Sequence, residues 1–318
     1  MSRAFGLVLG YAADRLVGDP RRLHPVAGFG TVALALETRT YAAQRAPGVA
    51  HVAALVGSAA ALGLVVERAT RREPLLHTLV TAATTWAVLG GRSLVREGEA
   101  IDRQLSGGDL AAARGQVRNL VGRDTTTLDA DGVARACVES LAENTSDAVV
   151  APLLWGGALG LPGLLGYRAV NTLDAMVGHR TARYAEFGWA AAKLDDVANW
   201  MPARAAALAT MASAALDGDR RATGRAVTAI RRDAPAHPSP NGGVVEAAFA
   251  GVLDVTLGGT NVYAGQAEDR GTLGTGPRPT ASDIARAARL SRRVGSMALL
   301  AAVTLALLPR RRGPRPTR

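Results

Sequence analysis

The sequence predicts an all-α protein, a polytopic integral membrane bundle of helices joined by polar helical loops. Three observations carry that expectation. Of the 318 residues only 20% are charged against 48% hydrophobic, and the mean hydropathy is +0.10, which is high for a chain that must clothe its surface in polar groups. Ala, Gly, Leu and Val dominate while aromatics make up 4%, as in helices packed through small side chains inside a membrane. Uncharged apolar stretches recur at 49–66, 75–91, 148–166 and 294–308, each near or slightly short of the roughly 20 residues that cross a bilayer.

Taken in order, the chain opens with Arg3 and an apolar run over 4–13, followed at once by Asp14-Arg15. With no small-residue cleavage site, this reads as a retained first membrane segment. The stretches at 49–66 and 75–91 flank Arg68, Arg71 and Arg72, and Arg310, Arg311 and Arg312 follow the last one. Residues 92–147 are polar and amphipathic, broken by Ser106-Gly107-Gly108. The stretch 148–166 contains Pro152, Gly156-Gly157, Gly160 and Pro162-Gly163, which weaken a simple span and permit a broken or re-entrant one. If it re-enters, the polar sequences on its two sides meet on one face. Residues 203–216 are apolar apart from Arg204; 217–293 begin amphipathic and turn Gly-rich and loop-like over 258–279. Residues 309–318 read as a basic, disordered tail. The expectation is one domain over 1–318 with four to six spans in the cell membrane. It shows no internal repeat and no alternating pattern long enough for a barrel.

Several function classes drop out. The net charge is +10, yet every basic residue except Lys193 is Arg, and these are scattered without aromatics or helix-turn-helix spacing. That argues against a nucleic-acid partner and fits apolar helices ending near an anionic leaflet, with membrane lipid as the partner. Cys137 is the single cysteine, which excludes intrachain disulfides, cysteine zinc sites and iron–sulfur clusters. Neither a phosphate-binding G-x-x-x-x-G-K-[ST] loop, nor H-E-x-x-H, nor G-x-S-x-G is present.

Four polar sets remain as candidates for chemistry. In CVESLAENTSDAVVAPL, Glu139, Glu143 and Asp147 fall at i, i+4 and i+8, on one face of a helix. As a solvated surface that face would be mildly destabilising; as a ligand set it suits a hard cation such as Mg²⁺, with Asn144 and Thr145 adding neutral oxygens. In YRAVNTLDAMVGH, Tyr167, Asn171 and Asp174 share a face beside Arg168. In YAEFGWAAAKLDDVANWMPAR, Asp195, Asp196 and Asn199 cluster near Lys193, a compact point charge in an Arg-rich chain. In SPNGGVVEAAFAGVL, the turn Asn241-Gly242-Gly243 opens an apolar helix with Glu246 in its first turn. Such a start reads either as an anion site or as a plain capped helix.

Together with DRLVGDPRRLHPV near the N-terminus and GRDTTTLD at 122–129, these four blocks in this order resemble the adenosylcobinamide-phosphate synthase (CobD/CbiB) family of cobalamin biosynthesis. The resemblance runs from about residue 10 to about residue 308. One departure is Val244-Val245, where an aromatic or Pro is expected.

The resemblance implies a ligase that joins adenosylcobyric acid, through a propionate carboxylate, to aminopropanol or its phosphate, giving adenosylcobinamide or its phosphate. A carboxylate does not acylate an amine at neutral pH without activation, and the usual route is an acyl phosphate from ATP with Mg²⁺. Glu143, Asp147, Asp174, Asp195 and Asp196 are then the metal and acid–base candidates, with Glu143, Asp147 and Asp174 as the metal ligands. Arg168, Arg183 and Lys193 are phosphate or carboxylate candidates, and Asn171, Asn199, Asn241, Gly242 and Gly243 complete the binding set. His179 is a candidate to accept the amine proton. No nucleotide motif is visible, so activation needs either an unrecognised nucleotide site or a partner protein; a homo-oligomer is also open. The competing readings are a transporter, which should show inverted repeats, and an AmpE-like membrane sensor, which would not need three Asn/Asp sets.

Overall fold

The computed structural model describes residues 1–19, 24–179, 181–263 and 266–308. Helices account for about three quarters of it. They are α1 (Ser2–Val17), α2 (Pro25–Thr40), α3 (Arg45–Thr70), α4 (Pro74–Val88), α5 (Gly91–Ser106), α6 (Leu110–Val117) and α7 (Ala130–Thr145). A π turn (Ser146–Val150) joins α7 to α8 (Ala151–Leu159), and then come α9 (Leu161–Val177), α10 (Trp189–Leu216), α11 (Arg220–Arg232) and α12 (Gly242–Leu253). Strands β1 (Leu257–Tyr263) and β2 (Gln266–Leu273) precede the last helix, α13 (Ala281–Leu307).

Local chemistry sets many of these boundaries. Asp109, Asp129 and Asp219 each accept a backbone N–H in the first turn of α6, α7 and α11, satisfying a donor that the helix itself leaves unpaired. Thr280 and Asp283 close a reciprocal capping box on α13. The expected break at Gly107-Gly108 separates α5 from α6, with Gly108 at φ +78°.

The apolar stretch 148–166 folds as a helical hairpin. Helix α8 is about 13 Å long at 1.5 Å per residue, and it ends at Gly160 (φ +78°), from which α9 runs back. A Cβ on Gly160 would collide with Glu67. Glu67 Oε2 accepts the Leu161 N–H at 2.8 Å and its Oε1 is paired with Arg3, so α3 and α1 together hold the hairpin tip. The return leg brings Tyr167 back to the start: its hydroxyl donates to the Asp147 carbonyl at 3.1 Å.

Among the described residues two helices, α3 and α13, are long and apolar enough to cross a membrane, fewer than the four to six expected. The reason is length and interruption. Helix α4 spans about 22 Å and α1 about 24 Å, short of a hydrocarbon core of ~30 Å, while 148–166 is split and α10 carries Lys193, Asp195 and Asp196. Only 22% of the apolar window of α3 and 33% of that of α13 is buried, whereas the core helix of a soluble protein hides most of its apolar surface. The Gly-rich segment expected as a loop forms instead the antiparallel β1–β2 hairpin, with Leu257 and Leu273 opposed and fully buried. The tail 309–318, with Arg310 to Arg312, lies outside the described residues.

Candidate functional site

The acidic face of α7 divides. Glu139 turns toward the β-hairpin, where its Oε1 accepts the Gly258 N–H at 2.7 Å and its Oε2 meets Arg123 at 2.5 Å. Asp147 sits past the end of α7, inside the π turn. Glu143 lies between, with Oε1 3.4 Å from where a Cβ on Gly242 would stand. The start of α12 thus lies against the Glu143 carboxylate of α7.

Asp147 meets the carboxylates of α9 and α10. Burial pushes its proton affinity well up, and Asp195, Glu143 and Asp174 add to the effect. Asp195 is raised to about 7 by burial and then by Asp174, partly opposed by the Asn199 amide. Asp174 is raised to about 6 by burial, then by Asp196 and Glu143. Three of the four polar sets thus converge electrostatically. The order is enforced by Tyr167, which donates to Asn199 Oδ1 at 2.8 Å, while Asn199 Nδ2 donates to Asp195 Oδ2 at 2.9 Å.

Cations border the carboxylates. Arg168 is deeply placed, reaches Asn171 Oδ1 at 3.5 Å, and has a buried Nε without a hydrogen-bond partner. Lys193 is exposed and pairs with Asp196 at 3.1 Å. Asn241 ties the fourth set to the third: its Nδ2 donates to the Asp196 carbonyl at 2.8 Å and its Oδ1 accepts from Arg204 at 2.7 Å. The turn does not offer free donors, because the Gly242 N–H is given to Ser239 Oγ at 3.0 Å and the Gly243 N–H to the Ser239 carbonyl at 3.2 Å. The capped-helix reading of Asn241, Gly242 and Gly243 is the one that forms.

Two sequence candidates lie apart from these groups. Arg183 is bound to Glu37 of α2 at 2.9 Å and stacked 4.1 Å over Tyr41. His179 is exposed in the bend after α9. Both lie beyond Gly178, where the chain leaves α9.

The structure also brings in residues to which spacing gave no role. Arg123, from the GRDTTTLD block, is buried and joins Glu139 to Asn261 of β1; Arg135 reaches the same Asn261 at 3.0 Å. Glu246, marked by the sequence only as lying in the first turn of α12, is buried 3.6 Å from His237 Nε2. Burial raises its proton affinity well above normal, with Glu139 and Glu143 adding to it. Burial and then Arg270 lower His237 to about 4. Asp19, within DRLVGDPRRLHPV, adds a further carboxylate, 4.0 Å from His24 and electrostatically coupled to Arg168. Its signal lay in that block, which has no helical periodicity to place it.

Among the described residues no three His, Cys, Asp or Glu side chains stand close enough to enclose a metal ion unaided. The donor set at Asp147, Asp174 and Asp195 is nonetheless all oxygen, and the buried Asp195 Oδ1 and Ser146 Oγ have no partner. That fits a hard cation such as Mg²⁺ sharing its sphere with water and a phosphate, better than a closed protein cage.

No solved structure matches the chain. It is 49% identical over 305 residues to the cobalamin biosynthesis protein CobD of Mycobacterium tuberculosis strain H37Rv, covering 96% of each chain. It is 44% identical to the protein of that name from Chromobacterium violaceum (96% of this chain, 97% of that one). It is 41% identical to that of Rhodobacter capsulatus (92% and 94%). The family model described as CobD/Cbib protein matches residues 7–291, an interval that contains every carboxylate of the site, and the chain belongs to the CobD/CbiB family of cobalamin biosynthesis.

Proposed function

We propose that the protein is an amide synthase that joins a propionate carboxylate of adenosylcobyric acid to the amine of aminopropanol or aminopropanol phosphate. The observation that carries this reading is the convergence of Asp147, Asp174 and Asp195, all with raised proton affinity, beside Arg168. An alkylammonium keeps its proton up to about pH 10 and is not nucleophilic until it loses it. Asp195, near 7, is matched to take that proton at neutral pH and to hold it without becoming charged. As the amine nitrogen bonds to the acyl carbon, the leaving oxygen gains negative charge. Arg168 and Lys193 are the cations that offset it.

Mg²⁺ and ATP, when bound, supply the activation of the carboxylate. Asp147, Asp174 and Glu143 are the side chains assigned to the cation. A bound cation would take the place of the protons on these carboxylates and offset the repulsion among them once ionised. The protein is assigned to the cell membrane as a multi-pass protein, with α3 and α13 as spans, the α8–α9 hairpin dipping in from the side of the site, and lipid around the exposed faces of α3 and α4.

The test is turnover by the purified full chain in lipid nanodiscs, supplied with adenosylcobyric acid, Mg-ATP and either aminopropanol or its phosphate. A product heavier by the amine less one water, formed with one amine and not with buffer alone, is expected. Absence of product with both amines, from protein shown to be folded, overturns the assignment.

A further inference from the structure

Helix α10 carries the site on one side and an unpartnered apolar stripe on the other. At 3.6 residues per turn, Asp195, Asn199, Ala206, Thr210 and Ser213 share one face, and Asn199, Ala206, Thr210 and Ser213 are buried. The opposite face holds Val197, Trp200, Met201 and Leu208, which are exposed at 72%, 58%, 44% and 64%. Arg204 is in the same stripe, its guanidinium 4.7 Å over the Trp200 ring.

The two ends of α10 fix its direction relative to the spans. At its start, Arg45 stacks 5.2 Å over Trp189, and Arg45 is the first residue of α3. At its end, the C-cap Asp217 pairs with Arg293, the last charged residue before the apolar run of α13. Both spans leave these points in the same direction. Gly63 of α3 packs on Leu161 at the hairpin tip, and Ala302 of α13 packs on Gly157 beside that tip. Helix α10, about 42 Å long, therefore joins the charged borders of two spans on one side and runs along the boundary rather than through the apolar layer.

We infer that α10 is an in-plane interfacial helix whose outer stripe is seated on the lipid bilayer. This rests on the membrane reading above and deepens it. The occupant is a bilayer because the stripe is continuous with the lipid-exposed surface at the starts of both spans. It also pairs an indole with an arginine at the level where amphipathic side chains gather. The arrangement sets the depth of the site: Asp195 and Asn199 lie about one helix diameter, ~10 Å, from the lipid contact. Trp200 is linked inward through Arg204 to Asn241, which holds the Asp196 carbonyl.

The test places nitroxide labels on Val197→Cys and, separately, Leu208→Cys, with Ser58→Cys, exposed near the middle of the apolar run of α3, as reference. The protein is the full chain in nanodiscs of phosphatidylethanolamine and phosphatidylglycerol. Cys137 is buried with its thiol held protonated, so it stays in place. Depth is read from the relaxation ratio for oxygen against a water-soluble nickel chelate. Expected are oxygen-dominated ratios at both α10 sites, at depths equal within about 5 Å, and a deeper Ser58 label. A difference of about 16 Å, the rise over 11 residues, would make α10 a span and overturn the inference. So would nickel-dominated ratios at Val197 and Leu208 with Ser58 still in lipid, or spin–spin broadening that vanishes on dilution with unlabelled protein, which would seat a second copy on the stripe. Nickel access at Ser58 as well would instead remove the membrane reading itself.

Discussion

The buried carboxylates make folding stability depend on pH in an unusual direction. Asp195 rises from its ordinary 3.8 to about 7 and Asp174 to about 6, so the folded protein holds these protons more tightly than the unfolded chain. Their stabilisation is complete below about pH 4 and is lost as pH rises through about 6 and about 7, the reverse of an ion-paired carboxylate. A tenfold change in proton affinity corresponds to about 1.4 kcal/mol, which gives up to about 4 kcal/mol for Asp195. The Asp174 effect is not added in full, because each carboxylate is part of the other's surroundings. At a few degrees per kcal/mol, the unfolding midpoint in detergent should fall by up to about 10 °C between pH 5 and pH 8. Asp195→Asn should flatten most of that fall, since an amide keeps the Oδ acceptor for Asn199 and carries no charge. Millimolar Mg²⁺ should reduce it in the wild type and have less effect in the variant. The assay is intrinsic-fluorescence thermal unfolding across pH. A flat wild-type profile, or a fall that Asp195→Asn leaves unchanged, refutes the account of the cluster.

Glu143→Ala and Asp147→Ala should each reduce turnover at least ~100-fold while the circular dichroism stays that of the wild type; wild-type turnover in either returns these residues to the solvated-surface reading. Arg123→Ala removes the nearest cation from Glu139, which keeps the Gly258 N–H and Arg135 at 3.9 Å, at a loss of about 1–3 kcal/mol, and limited proteolysis should then cut within 257–273 faster than in the wild type. Gly160→Ala forces a Cβ into Glu67 at a positive φ and should lower stability by at least ~2 kcal/mol, read from the thermal midpoint. The protein should stay in the pellet after carbonate extraction; release without detergent contradicts the assignment of α3 and α13.

Periodicity and breakers made the helices legible, and for 148–166 they also made the turn-back legible. Pro and Gly residues sit where α8 stops and α9 starts, and Tyr167 supplies the bond that brings the two ends together. The β-hairpin was not legible, because Gly258, Gly259 and Gly271 read as loop while Leu257 and Leu273, which bury it, are too few to show alternation. Within the site, Asp174, Asp195 and Asn199 were found from helical spacing since each lies inside a regular helix. Arg123, His237 and Asp19 were not, since each lies in an irregular segment where sequence distance says nothing about direction. Arg183, expected to bind a phosphate or carboxylate group, lies in such a segment too and is held by a glutamate on α2.

The π turn at Ser146–Val150 has a consequence for how this site can change over evolution. A π turn is one residue more than an α-helix needs, and removing one residue anywhere in it would restore a continuous helix from α7 into α8. Everything downstream would rotate by about 100° relative to α7. Helix α8 and the hairpin beyond it would lose their present register against α10 and α13, although no side chain had been altered. In this protein a single-codon deletion at 146–150 should be far less tolerated than most substitutions there, because the register of α8 against its neighbours is encoded in the length of the chain.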